Sequence, residues 1–332
     1  MSLNPSIDWQ WSTPSFVYGG LNRAKSGGRY ASGKGINVCA ALKNIGLDPL
    51  CLGFNFQENE AIVTRAMDNW GIRHDFVTVD GAVRVNIKLY DDATGTMTEL
   101  NQPGAFVPDD AIQALYEKFK AATRGATTGS GHILVLSGSM PANVPADTYK
   151  HMCQAWPGKV ILDADGEALR LALESERPPF CIKPNLYELN SLAHSLGRIS
   201  GLAADGAVPA YSGQELTTKE SVSEFCQMLI REYGVGMICV SMGADGAMLV
   251  TGHDAYYVPA PKVKVSAVQG AGDAMVAGLV YGLTQGLPAL ELLRTATAAA
   301  AATIVQEGTL MCTYEGFIEH LRQTGVPVCI KP

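Results

Sequence analysis

One segment in the last third of the chain has the composition of an anion-binding turn. Residues 269–278 read QGAGDAMVAG and run directly into a predicted helix. Small side chains let the backbone amides of Gly270, Ala271 and Gly272 point at one spot, and the helix N-terminus adds positive partial charge there. Such a site stabilises a phosphoryl group during transfer. Asp273 is then either a general base for an attacking hydroxyl or only a helix cap.

A second glycine-containing segment also starts a predicted helix. Residues 30–38 read YASGKGINV, in which Lys34 supplies charge and Asn37 offers both a donor and an acceptor. The segment is not a P-loop, because Gly35 stands where that motif needs serine or threonine. The chain also lacks GxGxxG after its first strand, which argues against a dinucleotide-dependent oxidoreductase. A glycine-rich helix start that binds no ligand is the alternative interpretation.

Two more segments follow predicted strands, where open α/β sheets bind ligands. Asn185 and Glu188 share the first turn of a helix that follows Lys183 and Pro184. They are either a water-mediated Mg²⁺ site or a capping box. Residues 241–247, SMGADGA, form either a tight turn or a phosphate-binding loop. Comparable strand ends lie at residues 4–8 and 136–141.

The elements that must position these residues alternate in the second half of the chain. Short apolar strands are predicted at 133–136, 159–163, 180–182 and 237–241, separated by helices of about ten to fifteen residues. This rhythm predicts a parallel sheet with helices on both faces. Three helices close the chain, at 272–285, 289–305 and 314–323.

The first half of the chain follows a different pattern. Residues 83–90 alternate apolar and polar side chains, which predicts a strand with one face in water. A turn at 91–95 leads to a returning strand at 96–101, and residues 16–18 are also strand-like. Together they predict a small antiparallel accessory sheet. The polar segments 123–131 and 198–217 are predicted to be loops.

Length and composition indicate an ordinary globular protein. The chain has 332 residues, 47% hydrophobic and 17% charged, which suits about two domains of ~150 residues or one large α/β domain. No run of ~18 apolar residues and no signal peptide are found, so we expect no membrane partner and a cytoplasmic location. Eight scattered cysteines without a CxxC pair predict reduced thiols.

The net charge of −7 argues against nucleic acid as a partner, because nucleic-acid binding needs a basic face. However, residues 9–47 contain no Asp or Glu, where about four would be expected from the overall composition. Such a segment either attracts a small anion or is a chance feature of a solvated face. It contains five cations: Arg23, Lys25, Arg29, Lys34 and Lys43.

In order along the chain, the motifs resemble one family. NPxxD, GKGIN, RxN, SGSxP, KPNxxEL, SxGxxG and GAGD, over roughly residues 3–323, are similar to the PfkB (ribokinase-like) carbohydrate kinases. Residues 22–23, 33–37, 84–88 and 98–99 resemble its branch of 1-phosphofructokinases and tagatose-6-phosphate kinases.

The resemblance implies a fold and an activity. The implied fold is a single α/β domain over 1–332, a three-layer α/β/α sandwich with a mostly parallel sheet and a lid from about 10–30 and 83–103. The implied activity is ATP-dependent phosphotransfer to a hydroxymethyl group of a sugar phosphate, with fructose 1-phosphate or tagatose 6-phosphate as acceptor. The alternatives are a family kinase for an unphosphorylated sugar or nucleoside, and a non-catalytic binding protein of the same fold. A homodimer formed through the lid is also implied.

The resemblance further assigns residues by position. Asp273 becomes the catalytic base, with the anion hole at Gly270, Ala271 and Gly272. Sugar hydroxyls are assigned to Asp8, Gly33 and Asn37. The phosphate already on the substrate is assigned to Arg23, Lys34 and Arg84, with Ser137 nearby, which would explain the acid-free segment. The nucleotide phosphates and Mg²⁺, the latter held through water, are assigned to Lys183, Asn185 and Glu188. ATP is further assigned to Ser241, Gly243 and Gly246.

Overall fold

The computed structural model describes residues 1–124, 126, 131–197 and 215–330, so most of both predicted polar loops lies outside the described residues. The strands are β1 (Ser6–Thr13), β2 (Ser26–Ser32), β3 (Leu50–Glu58), β4 (Arg73–Ala82), β5 (Arg84–Asp91), β6 (Thr96–Asn101), β7 (Ile133–Ser137), β8 (Lys159–Asp163), β9 (Cys181–Ile182), β10 (Met237–Ser241), β11 (Ala247–Thr251), β12 (Ala255–Val258) and β13 (Val328–Ile330). The helices are α1 (Lys34–Asn44), α2 (Glu60–Asn69), α3 (Asp109–Arg124), α4 (Thr148–Ala155), α5 (Gly166–Leu173), α6 (Leu186–Ser195), α7 (Lys219–Tyr233), α8 (Ala271–Thr284), α9 (Ala289–Ile304) and α10 (Tyr314–Gln323).

A seven-stranded sheet forms the centre of the fold, in the order β13-β12-β11-β10-β9-β8-β7. Strands β7 to β10 pair in parallel, as the strand–helix alternation predicts, and β10 to β13 pair antiparallel. The arrangement confirms the predicted α/β class. None of the helices in the described ranges is long and apolar enough to cross a membrane.

The first residues of the chain connect this sheet to the parallel pair β3–β4. Ser2 forms a parallel bridge with Gly53 of β3, and the Met1 amine donates to the Val135 carbonyl of β7 at 2.6 Å. Residues 1–2 therefore lie between β3 and β7. This placement leads the chain into β1 beside the carboxyl end of β7.

Two closely packed helices support the predicted anion-binding turn. A Cβ at Gly278 of α8 would lie 2.4 Å from the Thr295 carbonyl of α9, so only glycine permits this approach. The alanine-rich face of α9 is buried against α8, with Ala296, Ala299 and Ala302 fully covered. The N-terminus of α8 is thereby fixed relative to the sheet.

A separate four-stranded sheet has the order β2-β1-β5-β6. The predicted β5–β6 hairpin is confirmed, with its return strand at Thr96–Asn101. The prediction of a strand at 16–18 is wrong, because these residues are exposed in the loop between β1 and β2, where Asn22 hydrogen-bonds the Val17 backbone. The sheet is also not purely antiparallel, since β1 pairs with β5 in parallel.

The polar face of β5 faces inward, against the prediction that it lies in water. Lys88 is buried, whereas Ile87 on the opposite face is 37% exposed. The register places Asp8 beside Asn86 and Gln10 beside Lys88 on the inner face. The predicted alternation is confirmed, but the buried face of the sheet covers a polar site rather than an apolar core.

Candidate active site

Helix α8 begins at the anion-binding turn. Gly270 precedes the helix with φ 73°, and a Cβ there would lie 3.0 Å from Met311 Sδ, so the turn requires glycine. The Ala271 amide lies 3.5 Å from the Val268 carbonyl, a long contact that leaves it available to a stronger acceptor. Asp273 is buried in the first turn and does not cap the helix. Its Oδ2 instead accepts a 2.8 Å hydrogen bond from Asn37 Nδ2 of α1.

The environment of Asp273 is suited to a base. Burial and then the nearby Asp163 carboxylate raise the pKa of its carboxyl, while the Asn37 hydrogen bond and the ammonium groups of Lys34 and Lys183 lower it, and the net result is a pKa of about 6. At neutral pH the group is ionised but holds a proton more tightly than an ordinary aspartate. A base with this property takes up a hydroxyl proton as the hydroxyl attacks.

Two buried residues, Asp163 and Lys183, form an ion cluster below this turn with the partly exposed Lys34. Asp163 Oδ1 lies 3.5 Å from Lys34 Nζ and 3.2 Å from Lys183 Nζ, while Ser137 Oγ donates to Oδ2 at 3.3 Å. Burial disfavours each charge, but the two ammonium groups outweigh it and hold the pKa of Asp163 below its ordinary value. Likewise the surrounding carboxylates outweigh burial and raise the pKa of Lys34 and of Lys183.

The ion cluster brings positive charge to the anion-binding turn. A Cβ at Gly272 would lie 3.2 Å from Lys183 Nζ, so the ammonium group sits directly beside this glycine. Lys34 Nζ also lies 3.9 Å from Glu188 Oε1. Sequence reasoning missed Asp163. Its position as the last residue of the buried strand β8, at a carboxyl edge of the sheet, was the available signal.

Asn185 and Glu188 form the capping box that the sequence left as an alternative. Asn185 Oδ1 accepts from the Glu188 amide and Glu188 Oε2 accepts from the Asn185 amide, both at 2.8 Å. The box does not use Glu188 Oε1, which faces Lys34. A carboxylate oxygen so placed fits Mg²⁺ held with retained waters, and Asn185 Oδ1 keeps a second lone pair for such a water.

A cavity of about 630 Å³ joins the predicted nucleotide residues to the N-terminus of α8. Its polar end includes Asn185, Ser241 and Gly272. The loop after β10 turns through Gly246, where φ is 103° and a Cβ would lie 2.1 Å from the Val258 carbonyl. The remaining walls are mainly apolar and are contributed by residues including Gly243, Val263, Val265, Val268, Met275 and Ile304. The cavity fits a flat apolar ring system attached to a phosphate chain.

A smaller cavity of about 200 Å³ is lined by Lys34 and Arg84. Ser137, Ser139 and Asn4 also line it, and Asn4 Nδ2 donates to Ser139 Oγ at 3.1 Å. The Arg84 guanidinium is oriented by the Asn4 carbonyl, which accepts from Nε at 3.3 Å and from Nη2 at 3.2 Å. Burial lowers the pKa of Arg84, and Asp8 opposes the shift. The lining contains two cations, three serines and one acidic residue, Asp165, and its net positive charge suits a phosphate.

Arg23 is not brought to this cavity. It lies exposed in the loop between β1 and β2, where its carbonyl accepts from Thr13 Oγ1. The acid-free segment contains the long β1–β2 connection. Arg23 lies in this connection, outside the cavity, whereas Lys34 lies at the start of α1 and lines the cavity. Shared charge along the sequence was therefore not a guide to shared position.

The inner face of the four-stranded sheet carries Asp8, as expected, but with an unexpected partner. Lys88 Nζ lies 2.7 Å from Asp8 Oδ2, and Asn86 Nδ2 donates to Oδ1 at 3.1 Å. Gln10 Nε2 and Asn86 Oδ1 are buried without a hydrogen-bond partner. Such atoms are suited to sugar hydroxyls, because a ligand would satisfy them. Gly33 lies beside Pro5, with φ 119°, and immediately precedes α1.

Comparisons with known proteins agree with this geometry. Residues 2–315 match the pfkB family carbohydrate kinases. The chain is 33% identical over 326 residues to the 1-phosphofructokinase of Bacillus subtilis, covering 97% of this chain and 96% of the relative. It is 30% identical over 309 residues to the 1-phosphofructokinase of Escherichia coli K12, covering 92% and 90%.

This chain belongs to the pfkB family of carbohydrate kinases. A crystal structure of Escherichia coli phosphofructokinase-2 with substrates and products matches the kinase with a TM-score of 0.83 at 25% identity, covering 97% of each chain. The predicted ribokinase-like sandwich is thereby confirmed. The family match and the relatives support a kinase enzyme rather than a non-catalytic binding protein of the same fold. ATP is the phosphoryl donor that such a kinase implies.

The raised pKa of Asp273 predicts that this carboxylate costs the kinase stability. The pKa of Asp273 is about 6 in the folded state, against 3.8 for an ordinary aspartate. The folded state therefore keeps the proton longer than the unfolded state, and the free energy of unfolding falls as the pH rises from about 4 to about 6. Asp273→Asn removes the buried charge and should raise the free energy of unfolding at pH 8 by up to about 3 kcal/mol. The gain should vanish near pH 4.

Thermal melting between pH 4 and 8 measures this difference. Asp80→Asn, at an exposed position of β4, is the matched control and should show no such trend. A melting temperature for Asp273→Asn below that of the wild type at pH 8 would contradict the account.

Proposed function

We propose that this kinase transfers the γ-phosphoryl group of ATP to a hydroxymethyl group of a sugar phosphate, with fructose 1-phosphate as acceptor and tagatose 6-phosphate as the second candidate. The observation that carries the proposal is the cavity lined by Lys34 and Arg84, which gives an existing substrate phosphate a site separate from the α8 turn. The 1-phosphofructokinase names of the relatives support the choice of acceptor.

In this proposal Asp273 takes the proton of the attacking hydroxyl. Asn37 occupies Oδ2, so Oδ1 is the oxygen left for the substrate. Asn37 thereby orients the carboxylate as well as contacting the sugar, for which Asp8 and Gly33 are the other proposed partners. The deprotonated oxygen then attacks the γ-phosphorus in line with the leaving ADP.

The α8 turn and the ion cluster stabilise the charge on the transferred group. The amides of Gly270, Ala271 and Gly272 point toward the equatorial oxygens, and the helix adds positive potential. The Lys183 ammonium group lies beside Gly272, and Lys34 Nζ lies 3.9 Å from Glu188 Oε1. Because Asp163 holds both lysines, their charges are fixed before the substrates arrive.

The nucleotide occupies the larger cavity, with its phosphates directed toward α8. Ser241, Gly243 and Gly246 form the proposed loop beside it. Asn185 lines the cavity and Lys183 lies beside Gly272 of its lining, so both are the proposed partners of the phosphates. Mg²⁺ would supply positive charge there to offset the charge that develops on the phosphates. Glu188 Oε1 and Asn185 are the groups of this chain that would hold it, through water.

The four-stranded sheet is the proposed lid. Its strands fall within or close to the expected segments 10–30 and 83–103, with β1 beginning earlier at Ser6. The sheet brings Asp8, Lys88 and Asn86 over the sugar while excluding water from the phosphoryl group. Lid and sandwich together form one proposed domain over 1–332.

The outer face of the lid is the proposed dimer interface. Trp9 stands beside Ile87 in the register, and Ile87 stands beside Leu100, which is 66% exposed. Trp11 and Leu89 continue this apolar face on the same side. A sheet with a polar inner face and an apolar outer face leaves the outer face to a second copy.

Leu100→Glu should therefore convert a dimer into a monomer. Val326→Glu, at a residue 69% exposed outside the lid, is the matched control and should remain dimeric. Analytical ultracentrifugation at micromolar concentrations measures the mass. A monomeric wild type, or a dimeric Leu100→Glu variant, would contradict the interface.

A cytoplasmic location completes the proposal. All eight cysteines are free thiols, and seven of them are buried. Free thiols suit a reducing compartment such as the cytoplasm.

Arg84→Ala tests the acceptor. Loss of a charged hydrogen-bond donor should raise KM for fructose 1-phosphate about tenfold to a hundredfold, with a smaller effect on kcat. Arg73→Ala, a solvent-exposed arginine paired with Asp48, is the matched control. ADP release is measured with a panel of sugar phosphates, free sugars and nucleosides. The substrate proposal fails if a free sugar or nucleoside is the better acceptor, or if Arg84→Ala leaves KM unchanged.

A further inference from the structure

Gln269 connects two parts of the molecule that the proposed function treats separately. Its backbone immediately precedes Gly270, at the turn into α8, but its side chain reaches the β5–β6 hairpin of the four-stranded sheet. Gln269 Oε1 accepts a hydrogen bond from Tyr90 Oη at 3.1 Å. Gln269 Nε2 donates to Glu99 Oε1 at 3.3 Å and lies 2.9 Å from Met97 Sδ.

The two hydrogen bonds use opposite ends of one planar amide. Tyr90 is on β5 and Glu99 is on β6, so both strands of the hairpin are held by the same group. An amide with a donor and an acceptor in fixed geometry satisfies both partners in only one placement of the hairpin. The contact therefore specifies where the hairpin sits, which a purely apolar contact would not do.

The charges around Tyr90 keep it in the donating form. Burial raises the pKa of its phenol, and the carboxylates of Glu99 and Asp8 raise it further. The neutral phenol keeps its O–H, and the Gln269 carbonyl is its acceptor. Polarity thus matches at both ends: a phenol faces the amide oxygen, and a carboxylate faces the amide nitrogen.

The same hairpin carries sugar-facing groups. Glu99 stands opposite Lys88 in the register, and Lys88 is the partner of Asp8. A shift of the hairpin would therefore move Lys88 and Asp8 together with the contact to Gln269. The Gln269 side chain therefore links the position of the four-stranded sheet to that of the α8 turn.

We infer that Gln269 is a positioning residue that ties the four-stranded sheet to the α8 turn, so that the anion hole is held in its working shape when the sheet covers the site. The inference rests on the proposed lid and anion hole. Its consequence is tight coupling of ATP use to sugar phosphorylation. Without the tie, water reaches the γ-phosphoryl group more often.

The uncoupled reaction is hydrolysis of ATP. A water oxygen forms the new bond to the γ-phosphorus, and the bond from that phosphorus to the β,γ-bridging oxygen breaks. ADP leaves with the electron pair of the broken bond, and the proton of the water passes to Asp273 and then to solvent. The products are ADP and inorganic phosphate, with no sugar product formed.

Gln269→Met keeps the side-chain length and removes both hydrogen bonds, and Tyr90→Phe removes one. Gln285→Met, the same substitution just after the other end of α8, is the matched control. Gln269→Glu places a carboxylate against Glu99, whereas Gln269→Glu combined with Glu99→Gln restores a donor and an acceptor at both ends. The combined variant distinguishes the hydrogen bonds from mere packing.

The first measurement is the ratio of inorganic phosphate released to fructose 1-phosphate consumed, because only hydrolysis releases inorganic phosphate. The ratio should rise about fivefold or more in Gln269→Met and Gln269→Glu, the factor that corresponds to one lost hydrogen bond. It should return toward the wild-type value in the combined variant and stay unchanged in Gln285→Met. A wild-type ratio in both single variants overturns the inference, as does a combined variant no better than Gln269→Glu.

The second measurement needs no substrate. Amide hydrogen exchange of residues 84–101 should be faster in Gln269→Met and Tyr90→Phe than in the wild type, and unchanged in Gln285→Met. Unchanged exchange in Gln269→Met overturns the inference. If the wild type fails to phosphorylate fructose 1-phosphate, the proposed acceptor is wrong, and hydrogen exchange together with acceptor-free ADP release still decides the role of Gln269.

Discussion

The buried Asp163 carboxylate, held between Lys34 and Lys183, is the interaction on which the rest of the site depends. The ammonium groups of the buried Lys183 and the partly exposed Lys34 are stable side by side because this carboxylate lies within 3.5 Å of both. Lys34 belongs to α1, Asp163 ends β8 and Lys183 follows β9, so the cluster also joins three elements of the sandwich. A single buried charge thereby sets the positions of the cations on both sides of the α8 turn.

The cluster also accounts for the properties of Asp273. Burial and then the Asp163 carboxylate raise the pKa of the Asp273 carboxyl, while the Asn37 hydrogen bond and the two lysines limit the increase, which leaves the pKa at about 6. Asn37 then orients the carboxylate from α1. The four-stranded sheet adds a second buried pair, Asp8 with Lys88, above the site. Substrate recognition and chemistry are thus both organised by charges that are compensated within the fold before any ligand binds.

Local pattern was enough to predict much of this arrangement. The strand Met237–Ser241 and the hairpin strand Thr96–Asn101 follow the periodicity of their residues, and the glycine-rich turn before Asp273 was visible in the sequence. The partners across the fold were not visible: Asn37 and Asp273 lie 236 residues apart, and Lys88 alternates like a solvent-facing residue. Arg23 shows the converse. It shares the acid-free segment with Lys34, but the β1–β2 loop places it away from the cavity that Lys34 lines. Pairings of buried charge depend on tertiary contacts, which no local pattern encodes.

The most direct test of the account is the pH dependence of kcat in the wild type and in Asn37→Ala. Asp273 must be ionised to accept a proton, so kcat at saturating substrates should fall about tenfold per pH unit below pH 6. The Asn37 hydrogen bond lowers the pKa of Asp273, so its removal should raise that pKa and move this limb to higher pH. The phosphate of the substrate also titrates near pH 6, but its own ionisation is common to both enzymes and cannot produce the shift. A limb at the same pH in both enzymes, or no acid limb above pH 5, would contradict Asp273 as the base.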